Sequence, residues 1–245
     1  MNKALVTAGI VTSVVIIMTI LIKNGINDSQ DEEASCHDRF CSFEDLKQVY
    51  QEDEDWEIQT RDASSNKLLV SAIHGGGIER VTSQVADHIA GDRYNFYTFK
   101  GKLSSGNFDN LHITSTHFDE PAVLRMVSAV DHHISIHGTK GEVPKTLLGG
   151  LNKDLKELIA TSLEQNGFTV EEAPEDLDGD HPKNIVNLSK TGQGVQLELT
   201  TAQRKAFFKN GKIDYSSRSD PSNQTAAFDH YVKAIQSAIE EYEEI

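Results

Sequence analysis

The sequence predicts an α/β fold in three layers, a mixed central sheet with helices on both faces. Three observations predict it. Short apolar runs alternate along the chain with segments whose apolar residues fall three and four apart, which is the pattern of strands interleaved with amphipathic helices. Leu68-Leu69-Val70-Ser71-Ala72-Ile73 is apolar enough to read as a buried strand. The chain has 245 residues, 38% hydrophobic and 25% charged, so a body of about 200 residues can bury a core without disulfide staples. No internal repeat and no second domain stand out.

The elements follow in order. An uncharged run from Ala4 to Ile22, between Lys3 and Lys23, is long enough as a helix (roughly 28 Å) to cross the ~30 Å hydrocarbon of a bilayer. Residues 1–23 therefore read as a signal-anchor or as a cleaved signal. No A-x-A-like site follows, which favours the anchor. Positive-inside reasoning places the amino terminus in the cytoplasm and the body outside. Residues 24–45 read as an acidic stalk, most strongly up to Ser35. Cys36 and Cys41 are the only cysteines; outside the cell they either pair or remain two free thiols. The body, 46–245, is entered by Phe43 to Trp56, a short helix and an approach segment.

Within the body, Leu68 to Ile73 is a strand. Ile78, Val81, Val85 and Ile89 mark a helix that Gly91 ends. Tyr94 to Phe99 alternates as a strand, and Leu111 to Thr116 is expected as another. Pro121 to Val130 is a helix with Pro in its first turn, and His133 to His137 a strand. Thr146 to Leu148 is a short strand. Asn152 to Gln165 is a helix buried through Leu155, Leu158, Ile159 and Leu163, and Asn166-Gly167 caps it. Phe168 to Val170 is a strand, Glu171 to Pro182 an acidic loop, Gly194 to Thr200 the last clear strand. Helices are expected from Thr201 to Phe208 and from Ser222 to Glu241.

The formal net charge of −15 repels nucleic-acid phosphates and argues against nucleic-acid binding. The chemistry concentrates at strand ends, where open α/β sheets build their sites. His74 closes the first buried strand and opens Gly75-Gly76-Gly77, with Glu79 just beyond. Ile134-Ser135-Ile136-His137-Gly138 repeats the device. Two imidazoles and a carboxylate on one rim form a zinc set with an open fourth position. Glu198 alternates away from Val195, Leu197 and Leu199, so it is placed to take a proton from activated water and pass it to a leaving amine. A lone His after a strand is more often a structural hydrogen-bonder, and His132 or His133 stands near enough in sequence to substitute for His137. The reading rests on the four residues together.

Absences narrow the field. His-Gly-Gly-Gly also occurs as an esterase oxyanion loop, but no G-x-S-x-G elbow accompanies it. There is no phosphate-binding G-x-x-x-x-G-K-[ST], Gly75 to Arg80 does not complete G-x-G-x-x-G, and H-E-x-x-H is missing.

The strings Ala72-Ile73-His74-Gly75-Gly76-Gly77-Ile78-Glu79, Thr116-His117-Phe118-Asp119-Glu120-Pro121, Asp180-His181-Pro182-Lys183-Asn184-Ile185-Val186-Asn187, Ser135-Ile136-His137-Gly138 and Gly194-Val195-Gln196-Leu197-Glu198-Leu199 resemble the poly-γ-glutamate hydrolase family known from Bacillus and its phages. The resemblance runs from about Trp56 to the C-terminus. It implies a fold similar to zinc carboxypeptidases, although the ligand pair here is H-x-x-x-x-E instead of the tighter H-x-x-E. It implies one Zn2+ on His74, Glu79 and His137, Glu198 as general base and acid, and hydrolysis of γ-glutamyl amide bonds in poly-γ-glutamate. That polymer is a row of free α-carboxylates, so an acidic enzyme must gather local positive charge. Arg125 and Arg204 are the expected guanidinium contacts, with Lys140 a third option. Two other readings stand beside this one: a zinc amidohydrolase acting on γ-linked cell-wall peptides, and an inactive membrane-anchored binding module. The expected location is the cell membrane, single-pass, with the catalytic domain extracellular, or secreted if the segment is cleaved.

Overall fold

The computed structural model describes residues 36–64 and 67–244. The anchor expected over residues 1–23 and the stalk from 24 to 35 lie outside them. Among the described residues no helix is long and apolar enough to cross a membrane.

In chain order the elements are α1 (Phe43–Lys47), β1 (Trp56–Arg61), β2 (Leu68–Gly76), α2 (Thr82–Ala90), β3 (Asn95–Gly101), α3 (Asn107–Leu111), α4 (Pro121–Ala129), β4 (His132–Thr139), β5 (Thr146–Gly149), α5 (Lys153–Gln165), β6 (Val170–Glu172), β7 (Gly194–Thr200), α6 (Thr201–Ala206), α7 (Tyr215–Arg218) and α8 (Ala226–Glu244). The sheet has seven strands in the order β1-β3-β2-β4-β7-β5-β6. The four central strands β3, β2, β4 and β7 are parallel. β1 is antiparallel to β3, and β5 is antiparallel to β7. The mixed sheet expected from the alternation of elements is thus present.

Alternation along the central strands splits the core into two clusters. Val70, Ala72, Ile134, Ile136, Val195 and Leu197 pack with α2, α5 and α8. Leu69, Ile73, Tyr97 and Phe99 pack on the other face with Phe43, Leu46 and the α4 residues Val123 and Val127. Helices therefore cover both faces, the three-layer arrangement the sequence predicts. Helix starts are set locally. The Glu120 carboxylate accepts from Ala122 N and Val123 N ahead of Pro121, and the Asn152 side chain accepts from Leu155 N.

Four expectations need correction. Leu111 to Thr116 is not a strand: α3 ends at Leu111, and irregular backbone follows. Its apolar residues, Leu111 and Ile113, are buried as expected, but the edge position beside β3 belongs to β1. β1 itself starts where the expected approach segment ends and runs through residues expected to form no element, because Glu57, Gln59, Thr60 and Arg61 hide the pattern of an edge strand. The strand expected at Phe168 to Val170 begins instead at Val170.

The fourth correction concerns the stalk. Residues 36–45 pack on the body. Cys36 and Cys41 are joined by a disulfide. Phe43 is buried, its N–H donates to Asp119 Oδ1, and its ring meets Trp56 edge-on. Burying Phe43 and Leu46 contributes about 1.5–3 kcal/mol each, so this segment belongs to the fold. The boundary moves from 45 to 35.

Candidate metal centre

The strand ladder between β2 and β4 stops at Ser71 opposite Ser135. Beyond that point β2 shifts register against β3, between Ala72 and Gly75. A shift of this kind re-aims side chains. It turns His74, which shares sequence parity with the oppositely packed Ala72, toward Phe118 and His137. The chain then doubles back: Glu79 N donates to His74 O at 2.8 Å, and Gly77 N donates to Gly101 O at 2.8 Å. Gly76 takes φ +64° within this turn, a conformation only glycine adopts without strain. His74 and Glu79 are thereby brought side by side. His137 arrives at the end of β4, in register with Glu198 of β7.

Donor atoms of three residues converge. His74 Nδ1 lies 3.1 Å from His137 Nδ1 and 3.2 Å from Glu79 Oε1, and His137 Nδ1 lies 3.6 Å from Glu79 Oε2. A tetrahedral ion with ligand bonds of about 2.0–2.1 Å has ligand–ligand edges of about 3.3 Å, so the trio fits such an ion. The ring nitrogens on the far sides are already tied. His74 Nε2 donates to Ile113 O at 2.8 Å, and His137 Nε2 is 2.8 Å from Ser135 Oγ. Each imidazole therefore turns its Nδ1 inward, and for His74 the Nε2–H given to Ile113 O fixes the tautomer, the usual way an outer hydrogen bond prepares a metal ligand. Glu79 is held in turn by Gly138 N, which donates to Oε2 at 2.8 Å.

The electrostatics agree with a site built for a cation. All three groups are buried. Burial opposes a charge on His74, but the adjacent Glu79 carboxylate overrides it and raises the His74 pKa. Burial likewise pushes Glu79 up, and His74 more than reverses this, lowering Glu79 to about 2. Burial lowers His137 to about 3, with Glu79 opposing. An ionised carboxylate stands here against two imidazole nitrogens, an arrangement that calls for a shared proton or a metal ion.

His112 competes for membership. Its donor atom, with those of His74 and Glu79, forms another trio within 4.8 Å. Its ring, however, lies over the face of His74, tilted by 35° with centroids 4.0 Å apart, and Asp38 Oδ1 holds its Nδ1 at 2.8 Å. A ring over a ligand's face is poorly aimed at an ion lying in that ligand's plane. We therefore assign His137 to the trio and His112 to its support. No sequence pattern marks His112 or Asp38, whose partnership spans 74 positions. Phe108 stacks on the outer side of His112.

The trio opens into a cleft of about 490 Å³ that Glu198, Gln196 and Asn184 also line. Glu198 is buried, and Gln196 Nε2 donates to its Oε1 at 3.2 Å. Burial and then Glu79 push its pKa well above the ordinary carboxylate value, against the pull of Arg204. Lys140 and His181 bring positive or titratable groups to the rim; Glu175, Asp176 and Asp178 of the acidic loop bring negative ones. Asn187 Nδ2 pins that loop through Gly179 O and His181 O.

The two expected arginine contacts lie elsewhere. Arg125 is exposed on α4 and lines a separate cavity with Trp56 and Glu120. Arg204 is buried beneath the centre. Its guanidinium donates to the carbonyls of Leu199, Arg80 and Thr139 and to Thr201 Oγ1. A Cβ on Gly138 would meet Arg204 Cζ at 2.7 Å, so the strand end lies directly on the guanidinium. Spent on backbone, Arg204 supports the site and does not face the cleft. His133 is hydrogen-bonded within the sheet, and His132 packs against Tyr242; neither reaches the trio.

Comparison with known proteins is consistent with this geometry. A family model described as poly-gamma-glutamate hydrolase matches residues 40–234. The chain is 38% identical to YndL of Bacillus subtilis over 76% of this chain and 73% of that protein. It is 31% identical to YmaC of Bacillus subtilis over 93% and 95% of the two chains. A solved bacteriophage poly-gamma-glutamate hydrolase superposes with a TM-score of 0.80 at 35% identity, covering 84% of this chain and 99% of that one. A zinc-free apo structure of YndL superposes with a TM-score of 0.77, also at 35% identity, covering 84% and 98%.

Proposed function

The chain belongs to the poly-γ-glutamate hydrolase family, and from that premise we propose that it hydrolyses the γ-glutamyl amide bonds of poly-γ-glutamate with one zinc ion on His74, Glu79 and His137. One observation carries the reading: two imidazole nitrogens 3.1 Å apart, each within 3.2 to 3.6 Å of an oxygen of one carboxylate, stand at the floor of a cleft whose wall includes a buried glutamate. Zinc bound there supplies Lewis acidity and makes water acidic enough to ionise near neutrality.

The chain's own residues do the rest. Ile113 O and Ser135 Oγ hold the two imidazoles so that only Nδ1 is presented. Gly138 N–H orients Glu79. Glu198 is the proton carrier: its carboxylate takes a proton from the attacking water and returns it to the amide nitrogen as that bond breaks. Its raised pKa suits the second half of this task, since a proton taken up is retained until the leaving amine needs it. Lys140, just past His137, lines the cleft and is placed to meet a substrate carboxylate. The Cys36–Cys41 disulfide supports an extracellular body, membrane-tethered or secreted, because such bonds persist in oxidising compartments.

The test is direct. Incubation with purified polymer lowers its size by gel filtration, chelation stops the reaction, and zinc restores it. Polymer that keeps its length in the presence of zinc would remove the assignment.

A further inference from the structure

A second cavity, of about 500 Å³, lies on the other side of the His74–Glu79 turn. Gly76 and Gly77 form part of its wall, while the flanking His74 and Glu79 face the catalytic cleft. The two cavities thus share one short loop. Their charges differ. The cleft rim carries Glu175, Asp176 and Asp178. The second cavity gathers Lys100, Lys102 and Arg218 against a single carboxylate, Glu57.

Arg218 is the unusual member. It is 7% exposed; Nη1 donates to Ile213 O at 3.2 Å, and the guanidinium lies 5.5 Å from the centre of the Tyr215 ring. Asp214 is near enough to attract it. Asp214's oxygens, however, accept from the hydroxyls of Ser216 and Ser217 and from Ser217 N. Arg80, exposed and next in sequence to Glu79, repels Arg218 and adds to the local positive charge. Glu57 is divided between Lys100 at 3.3 Å and Lys102 at 3.5 Å. A mostly buried guanidinium whose remaining donors have no hydrogen-bond partner among the described residues gains charge-assisted hydrogen bonds from an incoming carboxylate.

We propose that this cavity is a remote subsite for α-carboxylates of the polymer, gripping units of the same chain several residues from the bond being cut. This rests on the hydrolase reading above. The acidic loop repels a polyanion on one side of the centre and this cavity attracts it on the other, so the chain lies across the Gly76–Gly77 turn in one direction.

The experiment compares a long polymer with a γ-glutamyl trimer, too short to occupy both cavities, for wild type, Arg218→Gln and Lys102→Gln. In Arg218→Gln the polymer KM rises about tenfold more than the trimer KM. In Lys102→Gln it rises by a smaller factor in the same direction. Both variants show a shallower rise of polymer KM with added salt than wild type, because a screened cation has been removed. Equal rises for the two substrates, or an unchanged polymer KM and salt slope, would overturn the subsite. Should Arg218→Gln not fold, the exposed Lys102→Gln decides by the same criteria. Wild type that cuts neither substrate contradicts the hydrolase reading itself, and the subsite falls with it.

Discussion

His133 and His137 stand on one face of one strand, both buried, and only His137 meets His74 and Glu79 at the proposed metal centre. His133 Nδ1 donates to Ile185 O at 3.2 Å, and its Nε2 lies 2.8 Å from Ser71 Oγ. Both nitrogens are used, and burial lowers its pKa to about 4, so it is a neutral strut. His137 has the same surroundings on its Nε2 side, a serine hydroxyl at 2.8 Å, but its Nδ1 meets another imidazole and a carboxylate. The difference is height in the sheet. At His133 the β2–β4 ladder is still closed; at His137 it has opened. Residue type does not make a ligand here; the place where the strands part does. Ser71 and Ser135, 3.4 Å apart, connect the two levels.

The largest effect expected at the upper level is on turnover. Glu198→Gln keeps the metal and lowers kcat about a thousandfold, read by polymer sizing beside elemental analysis; full activity would remove its role. His137→Ala loses stoichiometric metal, whereas His133→Asn retains it, measured by the same analysis. Metal retained in His137→Ala would mean that His112 completes the set instead. Ser135→Ala, which frees His137 Nε2 without touching the ligands, weakens metal affinity about 10- to 100-fold in competition with a chelator.

The smallest effect belongs to the lower level and appears as stability. The unfolded chain protonates a histidine near pH 6.5, the folded protein protonates His133 only near about 4. Between those values the unfolded state binds the extra proton, so stability falls as pH falls through the window, by on the order of 3 kcal/mol. His133→Asn flattens this slope in a plot of Tm against pH. A slope identical to wild type would show that His133 is not held neutral.

The same contrast explains what the sequence made legible. His74 and Glu79 are five positions apart around glycines, and β7 alternates cleanly through Val195, Leu197 and Leu199, so the faces of the central strands could be read. The register shift that turns His74 could not, because parity alone sends it with Ala72. Arg204 carries the charge a substrate contact needs, but sequence does not reveal that Leu199, Arg80 and Thr139 carbonyls consume it. His112 depends on Asp38, which composition assigns to a stalk and the Cys36–Cys41 disulfide loop returns to the body. Arg218 and Lys100 lie far apart in the chain and meet only where the folded chain closes a cavity.

The central claim is tested most directly by a crystal grown with zinc and measured at the zinc absorption edge. The account predicts one anomalous peak within bonding distance of His74 Nδ1, His137 Nδ1 and Glu79. A peak bound through His112 or His133 in place of His137, or no peak at the end of β4, would contradict it.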